Sequence, residues 1–204
     1  MEQRTQQGYL VLADISGYTF FLAQTELEHA DTAISYLLEA IVGQLNRVLT
    51  VSKLEGDAVF AYIEESKLAD GKTLLELVDS TYMAFRSVAE ELYLKSTCPC
   101  KACQAIPTLD LKFIVHHGDF VVQQVAGIKD LLGTDVNLVH RLLKNHVAES
   151  TGWRGYALFT DRGLERMQTD KTSFVQQTES YEHLGQVATY ITDMHSRYGG
   201  MKSL

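Results

Sequence analysis

The chain has 204 residues, of which 46% are hydrophobic, so it can bury a substantial core, and we expect a single domain over residues 1–204. Its formal net charge of −8 argues against binding to nucleic acid, because a phosphate backbone calls for clustered Lys and Arg. The first seven residues are polar, and no apolar run approaches the roughly 18 residues of a membrane span. We therefore expect a cytoplasmic protein that contacts neither a membrane nor nucleic acid.

The first half of the chain predicts two strand ends that each carry an acid. An apolar run from residue 10 ends at Asp14, and the Ser-Gly pair just beyond it marks the change from a buried strand to a short helix over 18–23. Residues 51–54 and 58–62 read as a hairpin with Asp57 at or just past its tip. Two aspartates on adjacent strand ends could hold one or two divalent metal ions.

The rest of the pattern alternates helices with strands and hairpins rather than repeating a regular βα unit. Apolar spacings of three and four predict helices over 32–49, with Asp31 as N-cap, and over 74–94, 136–145 and 161–167. Strands are predicted over 109–116, 120–125, 156–160, 174–177 and 187–192, the second being the hairpin partner of the first. Segment 98–107 holds both prolines and should leave regular structure, and the tail 195–204 should fray. The pattern favours an α+β fold with a mixed or antiparallel sheet.

All three cysteines, Cys98, Cys100 and Cys103, lie within six residues of one another. An odd number so crowded is not the disulfide framework of a secreted protein, which fits a reducing compartment. Three thiolates can bind one zinc or iron ion, although no fourth ligand is evident nearby in the sequence. A metal site, a redox site and an ordinary loop with free thiols all remain open for this segment.

The predicted helix over 136–145 carries Asn137 and Arg141 four residues apart. Residues at this spacing project from one face of a helix, so both side chains point toward the same solvent or ligand. An amide and a guanidinium placed this way could grip a phosphate.

Three motifs, in order and at sensible separations, carry a family resemblance. Residues 13–19 match the pattern Ala-Asp-Ile-x-Gly-aromatic-Thr, residues 53–57 match Lys-x-x-Gly-Asp, and residues 130–141 match Asp-x-x-Gly-x-x-Val-Asn-x-x-x-Arg. Each motif alone is weak, but the set resembles the catalytic domain of class III nucleotidyl cyclases. The cysteine segment and the run 140–145 look like a bacterial branch of such domains. The resemblance covers almost the whole chain and implies a ferredoxin-like βαββαβ fold.

By this resemblance the chain would be a phosphorus–oxygen lyase that converts ATP to 3′,5′-cyclic AMP and pyrophosphate in signalling. Asp14 and Asp57, helped by the Ile15 carbonyl, would carry two Mg²⁺ or Mn²⁺ ions per active site. The ribose 3′ hydroxyl would attack the α-phosphorus in line, so the protein mainly positions groups and neutralises charge. No dedicated general base is required.

The resemblance assigns the remaining site residues to base, ribose and phosphate. Lys53 and Asp130 would read the adenine ring, Asn137 would position the ribose, and Arg141 would stabilise the charge that develops on the α-phosphate. In the family these four groups act with the two metal-binding aspartates of a partner subunit. The chain is therefore expected to form a homodimer with two equivalent sites.

One departure from the family pattern keeps two alternatives open. The connection from Gly118 to Asp130 is several residues shorter than is typical, and Leu131-Leu132 replaces the usual apolar-Trp pair. An altered base pocket would fit a cyclase with a different base preference, or a nucleotide-binding regulatory module of the same fold that has lost turnover. An unrelated metal-binding α+β domain would require the motif matches to be coincidental.

Overall fold

The computed structural model describes residues 5–201 and contains one mixed sheet. In chain order its strands are β1 (Gln6–Ser16), β2 (Thr50–Glu55), β3 (Ala58–Glu64), β4 (Asp110–Val125), β5 (Ile128–Leu132), β6 (Tyr156–Thr160), β7 (Val175–Tyr181) and β8 (Gly185–Asp193). The helices are α1 (Tyr18–Gln24), α2 (Leu27–Leu45), α3 (Lys72–Lys95), α4 (Lys101–Ala105), α5 (Thr134–Leu142), α6 (Val147–Thr151), α7 (Asp161–Arg166) and α8 (Met194–Met201). Short 3₁₀ turns cover Glu65–Lys67 and Ile106–Thr108.

The strand order is β2-β3-β1-β4-β6-β8-β7, and β5 pairs with the far end of β4. Strands β4 and β6 run parallel and the other pairs are antiparallel. The first four strands, with α1 and α2 after β1 and α3 after β3, form the ferredoxin-like βαββαβ unit. The predicted α+β fold with a mixed sheet is thereby confirmed.

The central strand β1 is buried on both faces, which explains its continuous apolar sequence. Val11 and Ala13 face the core formed with α2 and α3, whereas Leu10 and Leu12 face the core formed with α5. Because side chains alternate along a strand, Asp14 shares the α5 side of the sheet with Leu12. The fold therefore points Asp14 to the side on which α5 lies.

The turn at Gly56 confirms the predicted β2–β3 hairpin. Gly56 has φ of 66°, a left-handed conformation that glycine adopts without strain, and the partners Glu55 and Ala58 close the hairpin on either side. Asp57 lies in the turn itself, directly before β3. The turn thus delivers the second acidic residue to the end of β1.

The predicted start of the long helix α2 was wrong. The helix begins at Leu27 with Glu26 as N-cap residue, so Asp31 lies inside it rather than capping it. Residues 26–29 are exposed and Ala30 is the first residue of the helix to be buried. The residues at the start of α2 are mostly polar because they face solvent in the first turn of the helix, and they do not form a loop.

The predicted hairpin between 109–116 and 120–125 was also wrong, because both runs belong to the single strand β4. Gly118 does not turn the chain; a Cβ at this position would collide with the side chain of Asp135. The turn comes later, at Ala126 and Gly127, which have φ of 52° and 86°. The hairpin partner of β4 is therefore β5, which places Asp130 in a strand.

Two segments expected to be irregular contain helices. The cysteine segment holds the short helix α4, and Met194–Met201 forms α8, where the tail was expected to fray. The ring of Tyr198 is buried and stacks edge-on against Tyr82 at 5.9 Å, which attaches α8 to α3. Across residues 5–201, none of the helices combines the length and apolar character needed to cross a membrane.

Candidate functional site

The two predicted metal ligands, Asp14 and Asp57, meet at one end of the sheet. Asp14 pairs with Ala58 across β1 and β3, and the Ile15 N–H donates a hydrogen bond of 3.2 Å to the Asp57 carbonyl oxygen. Burial, and then the nearby charge of Asp14, raise the pKa of Asp57 to about 6. Two close, partly buried carboxylates repel each other, and a divalent cation held by oxygen ligands relieves that repulsion. The residues present therefore fit the divalent metal that the resemblance implies.

Lys112, which the sequence reasoning missed, contacts this pair. It is the β4 neighbour of Asp14, and its Nζ lies 3.2 Å from Asp14 Oδ1. Its charge also lowers the pKa of Asp57, against the stronger effects of burial and Asp14. One ammonium group thus neutralises part of the charge of two carboxylates. The strand register alone places it there, and no motif in the sequence marks it.

Gly17 lets the chain turn from β1 directly into α1 next to this pair. Its φ of 90° is left-handed, and a Cβ at Gly17 would collide with the guanidinium of Arg154. The left-handed backbone favours glycine at this position, and the flexible end of Arg154 packs against it. The exposed side chain of Arg154 brings a further positive charge to the loop that follows Asp14.

Lys53 and Asp130, predicted to read the base, form a pair across β2 and β5. Lys53 Nζ donates a hydrogen bond of 3.0 Å to Asp130 Oδ1, and this bond holds the pKa of Asp130 below its usual range. Lys53 Nζ also lies 3.0 Å from Glu55 Oε1. The two residues thus present an ammonium donor and a carboxylate acceptor side by side, although they are 77 positions apart in the chain.

Helix α5 presents Asn137 and Arg141 on its exposed face. Its other face, with Val136 and Val139, is buried against the sheet. None of the hydrogen bonds or ion pairs found within residues 5–201 involves either side chain, nor do any of them link Asn137 or Arg141 to the aspartate pair. Both groups are therefore available to a ligand or to another chain.

His140 anchors α5 to the β2–β3 hairpin, a contact that the sequence reasoning did not foresee. Its Nδ1 lies 3.2 Å from Glu55 Oε2, and its ring packs on Phe60 with centroids 4.9 Å apart. Glu55 therefore contacts both Lys53 and His140. This network links α5, which carries Asn137 and Arg141, to the pair of Lys53 and Asp130.

The three cysteines converge with a histidine that the sequence reasoning missed. One ligand atom from each of Cys98, Cys100, Cys103 and His29 lies within 4.8 Å of every other in the set. The Cys103 N–H and then His29 lower the pKa of the Cys100 thiol to about 7. No fourth ligand is evident near the cysteines in the sequence, and the structure brings His29, in the first turn of α2, next to them. The histidine is 69 positions from Cys98, so spacing could not reveal it.

The fold is that of nucleotidyl cyclase catalytic domains. The chain is similar to the guanylyl cyclase Cya2, with a TM-score of 0.74 and 14% identity over 94% of this chain and 93% of that one. It is similar to the adenylyl cyclase CyaB from P. aeruginosa, with a TM-score of 0.62 and 14% identity over 95% and 97% of the two chains. A bacterial light-regulated adenylyl cyclase matches with a TM-score of 0.70 and 14% identity over 93% of this chain, which spans 53% of that protein.

Sequence comparison assigns the chain to a family. The model of the family described as protein of unknown function (DUF2652) matches residues 34–151, and the chain belongs to that family. A relative is the uncharacterised protein Rv2561/Rv2562 of Mycobacterium tuberculosis, 29% identical over 165 residues, which are 79% of this chain and 73% of the relative. The structural matches confirm the resemblance to class III cyclase domains at the level of the fold.

Proposed function

We propose that the chain is a class III nucleotidyl cyclase that converts ATP to 3′,5′-cyclic AMP and pyrophosphate at sites shared by two copies. The observation that carries the proposal is the meeting of Asp14 and Asp57 at the end of β1, where Asp14 pairs with Ala58 and the Ile15 N–H donates to the Asp57 carbonyl oxygen. Such a pair binds divalent cations in preference to remaining doubly charged and empty. Bound Mg²⁺ or Mn²⁺ would lower the pKa of the ribose hydroxyl and hold the triphosphate.

The chain's own groups suit the rest of the reaction. The O3′–Pα bond forms while the bond from Pα to the bridging oxygen of pyrophosphate breaks, and the hydroxyl proton passes to water. Arg141 can neutralise charge on the α-phosphate, and Asn137, one turn away on α5, can hold the ribose. The contact of His140 with Glu55 keeps this helix face in place without a rearrangement during the reaction.

Lys53 and Asp130 suit the recognition of adenine. The Lys53 ammonium can donate to a ring nitrogen, and the Asp130 carboxylate can accept from the exocyclic amine. Guanine offers an oxygen and a ring N–H that the same pair could meet after a small shift of the base. The base preference is therefore tested with both nucleotides.

The proposed partner is a second copy of the chain. Four large apolar side chains on the surface near Lys53 and Asp130 are more than half exposed, which is unusual. They are Leu54 (55%), Val125 (62%), Ile128 (72%) and Leu132 (57%). A partner that covers them would remove this apolar area from water. In that arrangement Asn137 and Arg141 of one chain would act on the metal-bound triphosphate of the other.

The ion pair between Lys112 and Asp14 favours one other candidate function. An ammonium 3.2 Å from a metal ligand can substitute for part of a cation's charge. A chain that uses Lys112 in this way would bind a nucleoside triphosphate as a regulatory module without turnover. An assay of nucleotide binding and of cyclic product, described next, separates the two candidates.

The direct test is incubation of the purified chain with ATP or GTP and Mn²⁺, with cyclic nucleotide measured by mass spectrometry. We expect cyclic AMP as the main product, and an exposed-site control, Glu182→Gln, should keep the activity. Nucleotide binding without any cyclic product would support the regulatory module instead. Absence of both binding and product would contradict both functions.

Binding of Mn²⁺ is expected to weaken below about pH 6. Because burial and Asp14 raise the pKa of Asp57 to about 6, with Lys112 opposing them, the metal-free protein holds a proton on Asp57 at lower pH. A cation must displace that proton, so the apparent dissociation constant should rise about tenfold per pH unit below pH 6 and stay level above about pH 7. This dissociation constant is measured from the loss of the free Mn²⁺ signal in electron paramagnetic resonance. A dissociation constant of the wild type that stays constant down to about pH 5 would contradict the assignment of Asp57 as a metal ligand.

A further inference from the structure

We propose that His29, Cys98, Cys100 and Cys103 form a structural Zn²⁺ site, independent of the proposed active site. His29 lies in the first turn of α2, Cys98 and Cys100 precede α4, and Cys103 lies within it. His29 Nδ1 is 3.1 Å from Cys100 Sγ and 3.6 Å from Cys98 Sγ. The structure thus brings three sulfurs and one imidazole together from two distant parts of the chain.

The geometry of the cluster fits tetrahedral zinc. Ligands held about 2.3 Å from a central ion lie about 3.8 Å from one another, and here every pair of ligand atoms is within 4.8 Å. The four residues are exposed or half-buried, so their side chains have room to rotate toward a central ion. Four protein ligands leave no open position, which is typical of structural rather than catalytic zinc.

The chemistry of the ligands selects the ion. Three thiolates and an imidazole prefer Zn²⁺ over Mg²⁺ or Mn²⁺, which the carboxylates of the proposed active site prefer. The Cys103 N–H points at Cys100 Sγ at 3.4 Å, and such N–H contacts stabilise a metal-bound thiolate. Three thiols also cannot all be paired in disulfides within one chain, whereas one Zn²⁺ binds all three.

The ion would join the start of α2 to the segment that leads into β4. Ala102 of α4 is buried, and its N–H donates to Glu26 Oε2 at 3.3 Å, so α4 already packs against the N-cap of α2. An ion that the folded chain binds and the unfolded chain releases stabilises the folded state by its binding free energy. We expect the loss of the ion to lower the melting temperature by roughly 10 °C.

The test uses the full chain, reduced and freed of metal, then titrated with Co²⁺. We expect the absorption bands of tetrahedral cobalt with thiolate-to-cobalt charge transfer, saturating at about one ion per chain and displaced by Zn²⁺. Carboxylates give no thiolate band, so the result does not depend on the cyclase proposal. Absence of the thiolate band in the wild type, or a disulfide that persists under reducing conditions, would overturn the inference.

Variants locate the site. His29→Gln and Cys100→Ser should weaken Co²⁺ binding by more than about 100-fold, whereas His195→Gln, at an exposed histidine outside the cluster, should leave it unchanged. Circular dichroism of each variant establishes that it is folded. Should Cys100→Ser fail to fold, His29→Gln and the wild-type titration still decide the matter. An unchanged Co²⁺ affinity in His29→Gln would contradict the proposed four-ligand site.

Discussion

Replacing Asp57 with Asn is expected to abolish cyclic nucleotide formation and also to stabilise the metal-free protein at about pH 8. The loss of activity follows from the removal of one of two carboxylates that would hold the cations. Asn keeps the size of the side chain and the backbone carbonyl that accepts the Ile15 N–H at 3.2 Å. The variant therefore tests the charge and leaves the turn at Gly56 intact.

The sign of the stability change follows from the pKa of Asp57. Burial and Asp14 raise this pKa to about 6 from 3.8, so the folded state binds the proton more tightly than the unfolded state does. The stability due to the protonated form is complete below pH 3.8 and is lost as the pH rises through about 6. At pH 8 the wild type carries two repelling carboxylates and the variant carries one. The variant should then melt a few degrees higher.

Differential scanning fluorimetry of metal-free protein from about pH 4 to 8 measures this effect. The melting temperatures of wild type and Asp57→Asn should converge at the acidic end and separate as the pH rises. Glu182→Gln, whose side chain is 89% exposed, should follow the wild type throughout. An Asp57→Asn protein that is less stable than the wild type at about pH 8 would contradict the repulsion between Asp14 and Asp57. Undiminished product would contradict the metal assignment.

Mixing the inactive variants Asp57→Asn and Arg141→Ala is expected to restore about a quarter of wild-type activity. In a homodimer each site would take its aspartates from one chain and Arg141 from the other. A mixed dimer then holds one site with both defects and one site with none. If half of the dimers are mixed, about a quarter of all sites are intact.

The controls distinguish a site shared between two chains from a site formed within one chain. Arg141→Ala alone should lower kcat by roughly 100- to 1000-fold, as expected for the loss of one group that stabilises transition-state charge. Mixing Asp57→Asn with Asp14→Asn should restore nothing, because each site of that dimer lacks one carboxylate. Differently tagged chains that co-purify show that exchange took place. Exchange without recovery of activity in the first mixture would contradict the shared site.

The local pattern predicted much of the fold because the main signals are short in range. The continuous apolar run at residues 10–13, the hairpin at Gly56 and the helical stripe of α3 each depend on neighbouring residues, and the structure confirms them. The start of α2 and the continuity of β4 were missed for a different reason. Polar residues on an exposed helix face resemble a loop, and Gly118 resembles a turn until its packing against Asp135 is known.

The candidate site was predictable where motifs mark it and not where only the register places a residue. The motifs led to Asp14, Asp57, Lys53 and Asp130, and the structure brings these together in two pairs, although their roles remain predictions. Lys112 contacts Asp14 only because antiparallel pairing of β1 and β4 aligns them. His29 reaches the cysteines through the packing of α4 on α2. Contacts of this kind depend on the tertiary structure, which a single sequence does not display.

The close approach of Gly118 to Asp135 limits how this protein can diverge. Asp135 in the first turn of α5 accepts a hydrogen bond of 2.6 Å from the Asp119 N–H, and it can do so only because residue 118 has no side chain. Any larger residue at 118 would push α5 outward and move Arg141 with it. Substitutions at positions 118 and 135 should therefore occur together in evolution. A lineage that loses Gly118 would need other contacts to hold α5 against β4.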